Sequence, residues 1–582
     1  MRGLMACLTG LGFLAGSAIG QITTGQILGV VLDPSGAPVN GAAASVRSLD
    51  TNATKKASTG EDGRFLFPHL PVGSYELTIE HTGFSPYVQG PIVLRLNQDA
   101  DLRVRLELAG DVEKIVVRED APLINTTDAE VGVNFDTKRI AELPMATNRN
   151  VLSLSLSAAG VSQLQTGQGS NVLGGGSVPL AVNGMRVRSN NYMVDGQDSN
   201  VVGSTGELLP INNPDVLSEF RLVTNQFTAQ YGGAAGSVVN VITKSGTNQF
   251  HGSAFWFHND NHLNSRSNLD KQQLSQSPFR TENQFGGTLG GPVIHDKTFF
   301  FLSAQRWTDR RLGSGVTIRG VPTADGQSLL RSIAGTRPTV QALLDFLPPA
   351  QQALPGVTAP VRVSGNRFTI PLGILTGSSN ISFNDWQWSG RIDHRFSDRH
   401  SLGFRYLGDD QVNSGDGQVT PPGLSLVTSR SAQSFSTFLT SGFSARLFNE
   451  LRLSYGRLAN VSDGLDPRSK QIPSIEINEL GLRGTTASPT RTALGLAFNQ
   501  PNISFLNNYQ LQDTVSLVHG PHVLKFGLDF RNHRSIGRTL RGFRGTLVYA
   551  TLDDFVNDTA NSGSISSPLP GGETSSHYDY RD

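Results

Sequence analysis

Residues 507–532 read NNYQLQDTVSLVHGPHVLKFGLDFRN. Asn508, Gln510, Gln512, Thr514 and Ser516 fall at every second position of the first half, and Leu524, Phe526, Leu528 and Phe530 at every second position of the other half, separated by Lys525, Gly527 and Asp529 and followed by Arg531. Successive side chains of a strand point to opposite faces, so each half is a strand with one polar side, and Gly520-Pro521 is the tight turn between them. The same pattern recurs at 384–396, with Trp386, Trp388 and Ile392 on one face and Gln387, Ser389, Arg391, Asp393 and Arg395 on the other. Further runs lie near 249–258, 283–293, 298–307, 401–408, 432–446 and 451–459. The gaps alternate: 295–297, 397–400, 447–450 and 520–521 are short, whereas 259–282, 308–383, 409–431 and 460–506 are long. Alternation alone also fits a half-solvated soluble sheet. Tight turns at one rim and long loops at the other are the mark of a membrane barrel, and charges on the inner face imply a wet or plugged interior. The region 248–582 therefore reads as a partial antiparallel transmembrane β-barrel. Its least regular run is 298–307, where Phe299, Phe300 and Phe301 are consecutive and the period is lost.

The rest of the composition agrees. A chain of 582 residues has room for two to four domains. It carries 48 basic and 48 acidic side chains, which excludes the basic surface of a general nucleic-acid binder. Only 16% of residues are charged and 64 are Gly, as suits a mostly β protein rich in turns. No run after residue 20 is long and apolar enough for a membrane helix, so a spanning part has to be a barrel that pairs its own backbone. Residues 1–20 read as a secretory signal peptide: Arg2 is the charged start, 4–19 is apolar and small, and Ala18-Ile19-Gly20 is the cleavage site. Cys7, the single cysteine, lies inside it, so the exported chain has no thiol.

Residues 25–109 alternate short strands with turns. Asp33-Pro34-Ser35-Gly36, Gly60-Glu61-Asp62-Gly63 and Leu70-Pro71-Val72-Gly73 separate apolar runs, and Leu102, Val104, Leu106 and Leu108 form a last strand. A seven-strand sandwich is expected. Together with Gly29-Val30-Val31-Leu32-Asp33 and Asp62-Gly63-Arg64-Phe65, these features resemble the carboxypeptidase-regulatory-like domain, a transthyretin-like sandwich. The resemblance implies a binding or scaffolding module without peptidase activity.

Residues 111–247 differ. A short strand-like stretch, 112–117, leads into polar sequence; 150–159 is apolar and helix-compatible; 163–177 is rich in Gly, Gln and Ser. Asn183-Gly184-Met185-Arg186, Val194-Asp195-Gly196-Gln197-Asp198, Glu219-Phe220-Arg221 and Asn240-Val241-Ile242-Thr243-Lys244-Ser245-Gly246-Thr247 follow. This set resembles the α+β plug domain of a TonB-dependent outer-membrane receptor. Asn283-Gln284-Phe285-Gly286-Gly287-Thr288-Leu289-Gly290-Gly291-Pro292 with Asp296-Lys297-Thr298-Phe299 is similar to the Oar-like subgroup. The resemblance implies a plug inside the barrel, an outer-membrane location, import of an extracellular ligand, and a TonB-type energy-transducing partner in the inner membrane. By position, Glu113, Lys114, Ile115, Val116 and Val117 are the coupling candidate, since a partner strand adds to an exposed strand through backbone hydrogen bonds. The plain alternative is a linker following the sandwich.

The chain departs from the family in length. A plugged transporter barrel has about 22 strands. Nine are countable here, or ten with 545–550, so a chain stopping mid-barrel is expected. Leu552-Asp553-Asp554-Phe555 is expected in an extracellular loop. No zinc helix, phosphate loop, nucleophile elbow or zinc-carboxypeptidase pair is found, so no catalytic residue, cofactor site or metal ligand is assigned. His258 and His262 are four apart but read as exposed loop histidines, and Gly174-Gly175-Gly176 as a plug loop. Substrate contacts are expected from apical segments 163–177 and 190–203, with the substrate itself unreadable. Three functions compete: energised import past a plug, surface adhesion or a structural role without uptake, and an accessory module of a secreted peptidase, which the missing zinc ligands disfavour.

Overall fold

The computed structural model of the chain describes residues 24–109, 115–117, 129–143, 145, 149–163, 178–201, 213–266, 268–273, 277–313, 316–378, 380–415, 425–444, 446–484, 491–497, 499–519, 522–539, 545–564 and 575–581. The leader 1–20, Glu113, Lys114, the loop 164–177 and Gly520-Pro521 lie outside the described residues.

Ten antiparallel strands form one sheet in chain order. They are His251–Asp260, Arg280–Ile294, Thr298–Leu312, Asn380–Arg395, His400–Ser414, Leu426–Gly442, Leu447–Gly464, Asn502–His519, His522–Thr539 and Ser575–Arg581. Long and short connections alternate throughout, as the sequence implied. The strands run longer than expected. His400 and residues 447–450 belong to strands, and the short turns sit at 396–399 and 443–446. The reason is that pairing continues past the lipid band until a turn interrupts it. The segment 545–550 is not a barrel strand. Thr546–Tyr549 pairs in parallel with Ser474–Ile477 outside the barrel sheet, and the tenth strand is Ser575–Arg581. Four residues are too short to cross a bilayer, and Tyr549 is fully buried in another core.

The two faces separate as predicted. Leu524, Phe526, Leu528 and Phe530 are exposed on the outer face, whereas Asn508, Gln510, Gln512, Thr514 and Ser516 are buried on the inner one. Trp386 and Phe396, both exposed, stand ten residues apart along the fourth strand and its turn. At about 3.3 Å per residue and a tilt near 40°, that separation is roughly 25 Å, the height of a lipid-facing band between aromatic girdles. The third strand keeps its period despite its three phenylalanines: Phe299 and Phe301 are buried inward while Phe300 lies on the opposite face. Gly246 ends the chain's passage from the interior to the first barrel strand. A Cβ there would sit 2.3 Å from the Phe300 carbonyl oxygen and 2.7 Å from that of Gly291, so only glycine allows this approach to the wall.

The long loops are not simply loops. Strands Val316–Pro322, Gln352–Val363 and Asn366–Gly377 form a three-stranded sheet covered by helices Ala324–Ala334 and Pro338–Phe346. Leu330, Val340 and Leu343 from this loop pack with Ile475 and Leu480, from the long connection between the seventh and eighth strands, and with Tyr549 and Phe555 from the last. Helix Leu552–Val556, closed by a Thr551–Asp554 capping box, lies in this cap, on the side away from the short turns, as its motif implied.

Inside the sheet, strands Gln197–Asp198, Asn190–Val194, Ser237–Thr243, Leu217–Asn225 and Val131–Asp136 form a five-stranded mixed sheet. Phe135 and Phe220 stack at 4.4 Å in its core. The apolar 150–159 stretch forms a 3-10 helix, Val151–Ser157, capped by Asn150. The N-terminal strands form two sheets over one core running from Ile27 to Leu106. One holds Arg64–Leu70, Gly25–Leu32 and Asp99–Arg105. The other holds Thr54–Ser58, Ala43–Ser48, Gly73–Glu80, Tyr87–Leu94 and an eighth strand, Ile115–Val117. Asp33 Oδ1 accepts from the Ser35 and Ala37 amides at 2.8 and 2.9 Å, fixing the predicted turn.

If the outer face lies in lipid, Leu528→Arg costs about 2–4 kcal/mol of stability in phospholipid vesicles. Val357→Arg, in the exposed hairpin of the loop cap, costs within about 0.5 kcal/mol. Urea unfolding of vesicle-inserted protein measures both, and equal costs would place the Leu528 face in water.

Candidate functional site

The interior domain is held by a polar clasp at one hairpin. Asp195 and Gly196 both have positive φ (47° and 74°), as a two-residue type I′ turn requires. The Asp195 carboxylate accepts from the Thr243 amide at 2.9 Å and hydroxyl at 2.8 Å, which orients it toward the barrel wall. Arg405 of the fifth barrel strand donates to Asp195 Oδ2 and to the Val194 carbonyl, both at 3.0 Å. It also reaches Gln197 and, at 2.9 Å, Ser434. Arg391 of the fourth strand stands 3.7 Å from Asp195 and donates to the Thr243 carbonyl at 3.0 Å. Farther round the wall, Asp198 pairs with Arg531 at 3.0 Å, and its amide donates to Gln510 at 2.9 Å. Arg405 and Asp195 are 1% and 3% exposed. A buried pair of this kind adds little net stability, yet removing one partner costs about 3–5 kcal/mol, because the other charge is left stranded.

This corrects the reading of 190–203 as an apical substrate segment. Asn190–Val194 is a fully buried strand of the interior sheet, and 195–200 is bonded to the wall. The sequence carried the signal: Asp195-Gly196 between alternating residues is a tight hairpin, not a free loop. The other apical candidate, 163–177, lies almost wholly outside the described residues.

A second polar contact was not foreseen. The sandwich loop at 95–98 is gripped by the interior domain. Glu219 accepts from the Leu96 amide, and Arg221 donates to the Leu96 and Asn97 carbonyls at 3.1 and 3.0 Å while pairing with Glu130 at 3.0 Å. Burial pushes the Glu219 carboxyl up to about 7, against the opposing pull of the Leu96 N–H. The sandwich also meets the barrel's short-turn rim. His69 Nε2 lies 2.9 Å from Ser516 Oγ, Asn52 donates to Asp296 at 3.1 Å, and the Asn248 amide donates to the Asp50 carbonyl at 3.0 Å. Burial, then the Lys55 and Lys525 charges, hold the His69 ring down at about 3. Burial lowers Lys55 to about 8, and its ammonium donates to the Pro68 and His69 carbonyls.

Of the coupling candidate, Ile115–Val117 is a strand paired in parallel with Tyr87–Gln89, and it ends the sandwich's five-stranded sheet. His258 sits on the first barrel strand, not in a loop, with Nδ1 2.9 Å from Asn283; His262 Nδ1 lies 2.5 Å from Asp260. Among the described residues no group of three His, Cys, Asp or Glu is placed to hold a metal.

The Glu219 contact has a pH signature. Its carboxyl is raised in the folded chain, so folding takes up a proton between about 4.5 and 7 and stability declines as pH rises through that window. The stability of the native chain minus that of Glu219→Gln should fall across pH 4.5–7 and be flat on either side. Chemical denaturation at stepped pH reads it, and a flat difference would refute the burial argument.

Residues 242–579 match the model of the outer membrane beta barrel domain, and 26–107 that of the carboxypeptidase regulatory-like domain. Over 298 residues the chain is 28% identical to the TonB-dependent transporter Oar of Myxococcus xanthus, a match that takes in 50% of this chain and 27% of that protein. Among solved structures it is similar to the outer membrane transporter YddB from Escherichia coli, with 11% identity, a TM-score of 0.47, and 77% of this chain and 53% of that one covered. It is also similar to the siderophore receptor PirA from Acinetobacter baumannii, with 16% identity, a TM-score of 0.44, and 71% and 49% covered. The chain belongs to the family of TonB-dependent outer-membrane transporters related to Oar, with an N-terminal carboxypeptidase-regulatory-like domain and an outer-membrane β-barrel domain.

Proposed function

We propose that the chain, exported by its 1–20 leader, captures an extracellular solute and passes it inward when a TonB-type protein of the inner membrane displaces the plug. The division into a sandwich at 25–109, a plug at 111–247 and a barrel from 248 onward belongs to this reading. The observation that carries it is the character of the plug–wall contact. It includes Asp195, Gln197 and Asp198 against Arg391, Arg405, Gln510 and Arg531, with a small apolar contact of Val194 and Val201 on Leu407, Ala432, Leu458 and Leu506. Polar contacts exchange for water when the plug shifts, at a small net cost. An apolar seal would resist by about 25 cal/mol for every Å² exposed.

The force enters, in this reading, at Glu113 to Val117. Ile115–Val117 has a partner strand on one edge only in the described sheet, which leaves the other edge for an incoming strand. The solute is recognised outside, where three loops share a core and present a rigid surface. That same platform favours the competing reading, attachment to an external surface without uptake.

Site-specific crosslinking decides between the two. A TonB-type C-terminal domain crosslinked to residues 112–118 in living cells supports import; full surface attachment after deletion of 112–118, with no crosslink, supports adhesion. The clasp makes a separate prediction. Arg405→Met alone should loosen the plug by about 3–5 kcal/mol, and Asp195→Asn with Arg405→Met should recover much of that loss. The urea midpoint for proteolysis of the plug measures both variants, and additive losses would show that the pair is not coupled.

A further inference from the structure

The sandwich is not tethered beside the barrel. It sits in the barrel's short-turn mouth. Its contacts reach from the turn between the second and third strands, through Asn52 and Asp296, to the inner face of the eighth, through His69 and Ser516. Between these points the Lys55 charge is attracted by Glu450 of the seventh strand, and Asp99 attracts Lys525 of the ninth. Ser516 and Glu450 are buried on the lumen side of their strands, so the sandwich reaches the inner face of the sheet and does not merely touch the rim. On its other flank the 95–98 loop is held by Glu219 and Arg221 of the plug. The domain is thus wedged between plug and wall.

Two further observations make this a movable stopper. Among the described residues, the apolar core of the sandwich is made of residues between Ile27 and Leu106, and that of the plug of residues between Val133 and Val241. Separating them exposes neither core, and the named contacts are all hydrogen bonds or charge pairs that water can replace. Moreover, Ile115–Val117 is hydrogen-bonded into the sandwich's own sheet beside Tyr87–Gln89. Tension applied to that strand loads the sandwich before it reaches the plug.

We propose that the regulatory-like sandwich is a second gate in series with the plug, seated in the periplasmic mouth through Asn52–Asp296, His69–Ser516 and the Glu219–Arg221 grip on its 95–98 loop, and unseated first when the coupling strand is pulled. The order of opening rests on the import reading; the seating of the sandwich against plug and wall does not.

The exported chain has no thiol, so cysteines report without background. Thr514→Cys places one on the lumen face, one inward position beyond Ser516. The probe is a membrane-impermeant fluorescent maleimide applied from the periplasmic side to the full chain in membranes. In the otherwise native chain labelling should be slow. In a chain with Asn52→Gly and His69→Asn, which tolerate the positive φ of both positions, it should be at least tenfold faster while the plug keeps its protease resistance. Equal rates would overturn the gate. A disulfide between Asn52→Cys and Asp296→Cys gives an independent arm, since it ties the sandwich to the turn it already touches. Closed, it should keep labelling at or below the native rate; faster labelling would overturn the gate. In energised cells carrying a TonB-type protein, labelling of the unstapled chain should accelerate, and the staple should abolish the acceleration. Acceleration that persists through the staple would overturn the sandwich as a gate. No acceleration in energised cells, with the seat variants behaving as expected, would leave the closed mouth standing and reject the energised opening.

Discussion

In hydrocarbon no water is available to hydrogen-bond the backbone, so every amide and carbonyl in the bilayer must find a partner within the protein. Most features of the chain's second half follow from that constraint. Strands pair in chain order because a hairpin is the shortest way to give each one a neighbour. They exceed the width of the lipid band because stopping a ladder early would strand its last groups. The side chains divide by the same rule: the outer face carries Leu524, Phe526, Leu528 and Phe530, and the inner face is free to be polar. A polar interior, in turn, makes possible an internal domain held by ions and amides.

That internal domain is fixed in direction more than in energy. Asp195 is oriented by Thr243 before Arg405 and Arg391 meet it, so the carboxylate reaches the wall in one pose. The grip of Glu219 and Arg221 on the 95–98 loop works alike: one carboxylate and one guanidinium read backbone groups whose positions the sandwich has already set. The second contact joins parts that fold around separate cores, which is why it can be specific without being permanent.

Local chemistry was legible in the sequence wherever it sufficed. The polar run Asn508 to Ser516, the apolar run Leu524 to Phe530 and the Asp33 turn all depend on neighbours within a few residues, and all appear as read. The third strand was misjudged because three adjacent phenylalanines hide a period that only pairing with the second and fourth strands restores. Thr546–Tyr549 looked like a barrel strand because alternation says nothing about which sheet a strand joins; its partner, Ser474–Ile477, is some seventy residues earlier. The clasp and the seat were invisible for the same reason. Nothing near Arg405 announces Asp195, and nothing near His69 announces Ser516. The hairpin at Asp195-Gly196 was legible, because Asp-Gly between alternating residues marks a two-residue turn.

The cap over the long-loop rim constrains how this molecule can change over generations. Val340, Leu480 and Phe555 come from three stretches of chain far apart in sequence, yet all three belong to one buried core. A larger side chain in one stretch has to be accommodated by a smaller one in another. Independent loops drift one at a time; here the outward surface must vary in concert, through compensating pairs spread over more than two hundred residues. New specificities would then arise by exchange of the whole cap more readily than by tinkering with one of its parts.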